Sequence, residues 1–139
     1  MDYNLIRITD STVLSDAGIC YYDPIEEVIK EVGSGYMMGT NPTSPVVHKL
    51  MLVIKNGSIK KVNIKVVKNS ELESLFDIKI LPGVSATGLS SFAEVDTFNS
   101  LEITDGLQPY SLIPFHVYIK PKGPINALLN APLELTYEF

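Results

Sequence analysis

Cysteine, histidine and tryptophan are nearly missing from this chain: one Cys, two His and no Trp in 139 residues. A single thiol excludes an intrachain disulfide and any zinc site built on thiolates. Cys20 lies between Ile19 and Tyr21 and reads as a small buried hydrophobe. His48 and His116 have no H-x-H or H-x-E companion, so the clustered-ligand pattern of a metal-dependent sandwich enzyme is not there. Each reads as a hydrogen-bonded structural residue of a strand. Spacing alone leaves a Cys20–His dyad open, and the Ser and Thr residues are common but unmarked. Without Trp, a sugar-stacking face would rest on Tyr21, Tyr22, Tyr36, Tyr110 and Tyr118.

Charge is also scarce. Charged residues make up 19% of the chain, against roughly 25% in ordinary soluble domains. Hydrophobic residues reach 45% and mean hydropathy is +0.17, an apolar surplus that suits extra burial at subunit contacts and equally a well-packed core beneath a neutral polar surface. The net charge of −5 supplies no cationic face for nucleic acid. No apolar run approaches the ~18 residues of a membrane helix. The opening stretch MDYNLIRITDSTVLSD has neither the basic nor the apolar region of a signal peptide. The expectation is a chain with no nucleic-acid partner, no membrane segment and no cofactor. Its localisation is cytoplasmic, or the virion if it is viral.

What charge exists is sorted along the chain. Lys49, Lys55, Lys60, Lys61, Lys65, Lys68 and Lys79 fall in a central segment, with acids gathered before it and after it. Opposed patches of this kind could dock neighbouring copies; a solvated, Lys-rich strand face explains most of them as well.

Short alternating runs dominate what remains. Strands are predicted at Leu5–Ile8, Gly18–Tyr22, Asp77–Leu81, Phe92–Phe98, Leu101–Thr104 and Phe115–Lys120. Pro114 and PKGP bound the strand at 115–120. A helix is predicted at about residues 24–32: Asp23 as cap, Pro24 at the first helical position, Glu26 three residues after the cap, and Ile25, Val28, Ile29 and Val32 along one face. The segment 34–45 reads as loop, in which Tyr36, Met37 and Met38 are exceptional. Around Asn56-Gly57 the pattern predicts a hairpin, with Gly57 left-handed in a bulge and Leu50 opposite Val62. That register puts Val46, Leu50, Leu52, Ile54, Val62, Ile64 and Val66 on one face and sends Lys49, Lys61, Asn63 and Lys65 to the other. A turn or two of helix at 69–76 and a short helical turn at 125–130 complete the reading.

The chain ends on LELTYEF, alternating to an aromatic terminus as outer-membrane barrel strands do. With no export signal ahead of it, it is predicted to be an ordered terminal strand. Leu133, Leu135, Tyr137 and Phe139 then face the core or a neighbour, and Glu134 and Glu138 face outward.

Eight or so strands in a single domain, 1–139, define a mainly β fold: an antiparallel β-sandwich or small β-barrel with one short α-helix. GSGYMMG lacks the Walker lysine, and no G-x-S-x-G elbow exists. The carboxylates of Glu26-Glu27 and Glu71/Glu73 fall on solvated helical faces. The expected function is therefore non-enzymatic: a structural or assembly protein, most concretely a phage or virus virion component such as a capsid decoration protein or head–tail connector subunit. Its partners would be protein, as a homo-oligomer or as capsid or tail neighbours. The candidate interface residues are Tyr36, Met37, Met38, Leu133, Leu135, Tyr137 and Phe139. A carbohydrate- or peptide-binding β-sandwich is the alternative, and a small hydrolase-type enzyme ranks below both.

Overall fold

The computed structural model describes residues 16–31, 36–83, 95, 98–124 and 129–139, and of Tyr36 only the backbone. Nine strands and one helix appear among them: β1 (Ala17–Asp23), β2 (Val28–Glu31), β3 (Tyr36–Gly39), β4 (Val46–Ile54), β5 (Lys61–Val66), α1 (Ser70–Leu75), β6 (Phe76–Pro82), β7 (Ser100–Ile103), β8 (Leu112–Pro121) and β9 (Asn130–Glu138). The strands form two sheets, ordered β2-β1-β4-β8-β6 and β3-β9-β5-β7, and every pairing is antiparallel. The mainly β, sandwich-like fold expected from the alternation is present, and the sheets are open rather than closed into a barrel.

Alternation decides what fills the space between the sheets. The first sheet contributes Ala17, Ile19, Leu50, Leu52, Ile54, Phe76, Ile78, Ile80, Phe115, Val117 and Ile119. The second contributes Met38, Val62, Ile64, Val66, Ala131, Leu133 and Leu135. Burying one side chain of this size contributes about 1.5–3 kcal/mol, so this interior dominates the stability. A smaller cluster of Cys20, Ile29, Met51 and Val53 occupies the far face of the first sheet.

Several expectations are corrected. No helix forms over 24–31, the described part of the expected 24–32 helix: residues 24–27 are a turn and Val28–Glu31 is β2, paired with β1. The capping chemistry is nevertheless there. The Asp23 carboxylate accepts from the Ile25 and Glu26 amides at 2.8 and 3.2 Å, and Glu27 N–H donates to the Asp23 carbonyl at 2.8 Å. One turn satisfies the cap; beyond it, pairing with β1 seals Ile29 against Cys20, Met51 and Val53, which a free two-turn helix could not match. The short helix is α1 instead. It falls within the helical turns expected at 69–76, and its cap is Asn69, whose side chain accepts from Leu72 N–H at 2.7 Å.

The predicted hairpin does not form either. β4 pairs with β1 and β8, whereas β5 pairs with β7 and β9, so the chain crosses from one sheet to the other between Ile54 and Lys61. Lys55 and Asn56 N–H both donate to the Asp16 carbonyl, at 2.8 and 3.0 Å, and turn the chain out of the first sheet. Lys60 N–H then donates to the Glu138 carbonyl at 2.8 Å and enters the second. Gly57 is not left-handed; Gly106, following Asp105, is, at φ 74°.

β3 was unforeseen, and β8 is longer than expected. The 34–45 segment contains β3, and β8 runs through Pro114, whose carbonyl accepts from Gly83 N–H at 2.9 Å. The strand predicted at 5–8, most of that at 92–98 and most of the turn at 125–130 lie outside the described residues.

Candidate contact surface

The outer face of the second sheet carries Lys61 and Lys65 from the middle of the lysine-rich segment, and there these charges are matched. Lys61 on β5 reaches Glu102 on β7 at 3.6 Å and Glu138 on β9 at 3.7 Å; Lys65 reaches Glu134 at 3.8 Å. These are exposed cross-strand pairs of small individual worth.

At one end of this face the charge ladder gives way to an apolar row. Met37 on the edge strand β3 stands opposite Pro132, and the Pro132 carbonyl accepts from Val67 N–H at 2.8 Å. Met37 is 51% exposed and Val67 38%. Val67 continues into a groove of about 500 Å³ whose apolar walls are Val66, Val67 and Phe98. Two ammonium groups rim it: Lys65, and Lys68, whose Nζ lies 5.4 Å from the centre of the Phe98 ring. Lys68 also reaches Glu73, at 3.8 Å.

The structure joins the two groups of candidate interface residues, because β3 and β9 are hydrogen-bonded neighbours with Tyr36 opposite Leu133. Their roles divide. Met38, Leu133 and Leu135 are buried core, and Met37 is exposed. Tyr137 is half-buried and donates from its hydroxyl to Asp16 at 3.2 Å. Its own pKa is raised, first by burial and then by that carboxylate. Phe139 is 61% exposed and meets Tyr137 edge-on at 5.6 Å between ring centres. Sequence reasoning missed Val67, Lys68 and Phe98. The available signal was the break in alternation at Val66-Val67, where two apolar residues follow Lys65 in succession.

The groups with chemical potential lie elsewhere. Cys20 is sealed in the far-face cluster, its thiol donating to the Met51 carbonyl at 3.6 Å. Burial, then the nearby Glu31 carboxylate, pushes that thiol up to about 12. His48 turns toward the interior side of β4, where its Nε2 lies 2.7 Å from the Gly39 carbonyl. His116 is on the opposite side of the first sheet, in a hollow of about 340 Å³ that Tyr22, Lys49, Met51 and Pro114 also line. Its nearest polar ring partner is Tyr118 Oη at 3.4 Å from Nδ1. Burial and then Lys49 hold its pKa below 6.5. The tyrosines of the sugar-binding alternative are dispersed: Tyr21 packs on the main core, Tyr22 on the far-face cluster, and Tyr110 is 69% exposed.

Comparison of the chain with protein-family models, with curated proteins and with solved structures finds no match. Among the described residues no helix is long and apolar enough to cross a membrane.

Proposed function

We propose that this protein is a structural subunit of a multi-copy assembly, the class to which capsid decoration proteins and head–tail connector subunits belong. The observation that carries the reading is the row Met37–Pro132–Val67 leading into the Phe98 groove, on a face that elsewhere carries the Lys61 and Lys65 ion pairs. Apolar patches rimmed by polar side chains mark protein contact sites. An edge strand at one end of the row lets a neighbour add main-chain contacts as well.

Light scattering over a range of concentrations tests the reading. Mass per particle is expected to rise above that of one chain, and the Met37→Asp/Val67→Asp variant is expected to stay monomeric with an unchanged circular dichroism spectrum. A wild-type chain that remains monomeric throughout would refute self-assembly.

A further inference from the structure

We infer that the occupant of the Phe98 groove is the β1–β2 turn of a second copy of this chain, inserted through Ile25; the inference rests on the assembly reading above.

The turn is built as a rigid knob. Asp23 Oδ1 accepts from the Ile25 and Glu26 amides, and Lys30 Nζ clamps the base through Asp23 at 3.1 Å and Glu26 at 2.8 Å. These ion pairs lower the Asp23 pKa and raise that of Lys30. Glu27 takes φ 57°, a left-handed conformation that disfavours a side chain. The braced turn holds Ile25 91% exposed, flanked by exposed Glu26 and Glu27. A large apolar side chain fixed in water on a pre-ordered turn fits a contact residue whose ordering cost is already met before binding.

The groove is its counterpart in polarity and in charge. Val66, Val67 and Phe98 offer an apolar floor for Ile25, while Lys65 and Lys68 on its rim supply the cations for the exposed Glu27 carboxylate beside it. Their present carboxylate partners sit at 3.8 Å in exposed pairs, weak enough to exchange. Knob and groove are different surfaces, on different sheets, so the contact is heterologous. Each docked copy still offers its own groove to the next, and the contact propagates into a ring or a filament.

Sedimentation velocity on the full chain separates the outcomes. Wild type is expected to form species larger than dimers. Ile25→Asp and the Lys65→Glu/Lys68→Glu double variant are each expected to lose association by roughly tenfold or more. Mixed one to one, they are expected to give a dimer that grows no further, because the surviving knob meets the surviving groove once. All the changed residues are at the surface, and circular dichroism checks that each variant is folded. If Ile25→Asp assembles like wild type, or the mixture gives no dimer, the knob-and-groove contact is wrong while the assembly reading stands. If wild type itself never associates, both fall.

Discussion

Glu31 and Lys55 bury opposite charges beside Gly18, with Lys55 Nζ 2.7 Å from Glu31 Oε1. Among the described residues neither head group makes a hydrogen bond beyond that pair. A Cβ at Gly18 would run into Glu31 Oε1, so a side chain there would push the carboxylate away from its present position. Removing one partner leaves a buried charge uncompensated, which typically costs about 3–5 kcal/mol. Lys55→Met is therefore expected to lose stability on that scale in urea unfolding, and Glu31→Gln/Lys55→Met to regain most of it. His116 gives a pH signature. Its folded pKa lies below 6.5, through burial and Lys49, so below 6.5 the unfolded chain binds a proton that the folded chain resists. Stability then falls as pH drops through that window and is fully present above it. His116→Gln is expected to flatten this part of the stability–pH curve, measured by thermal unfolding at a series of pH values. An unchanged slope would remove His116 as its source.

At the scale of elements, the sequence was legible in which face a residue takes and illegible in which strand lies beside it. Val46, Leu50, Leu52, Ile54, Val62, Ile64 and Val66 all turn to the common core as their alternation says, although β4 and β5 never pair. A period of two fixes the face of each strand and says nothing of its neighbour. Neighbours are set by contacts such as Asp16 with Lys55 and Asn56, distant in sequence. The strong cap at Asp23 misled for a related reason: capping residues stabilise a single turn as well as a helix. Of the contact surface, Met37 was legible as an oddity among turn residues, but the groove depends on bringing Val67 and Phe98 together across two strands. Asn99 was invisible. Its side chain mimics a strand, accepting from Ile80 N–H at 2.7 Å and donating to the Ile80 carbonyl at 3.0 Å, and so ties the edge of the first sheet to the entrance of β7. Asn99→Ala leaves both Ile80 groups without that partner and is expected to cost about 1–3 kcal/mol, read as a lower denaturation midpoint at constant m-value.

For the molecule as a whole, folding converts segregated charge into matched charge: lysines of the central segment pair with Glu31 from before it and with Glu102, Glu134 and Glu138 from after it. The terminal strand is central to this. β9 lies between β3 and β5 rather than at an edge, so deleting residues 135–139 strips pairing from the interior of a sheet. The truncated chain is expected to lose cooperative thermal unfolding; retention of a sharp transition would show that β9 is dispensable. The crossing between β4 and β5 has a consequence during synthesis. β4 emerges early, but its broad partner β8 is not made until residue 112 and beyond. At 5–20 residues per second the ribosome needs roughly 3–12 s to cover the interval from Ile54 to Leu112. Through that time Leu50-Met51-Leu52-Val53-Ile54 is a nascent strand open along one side, with Lys49 and Lys55 at its ends as the charges that keep it from meeting its like on a neighbouring ribosome.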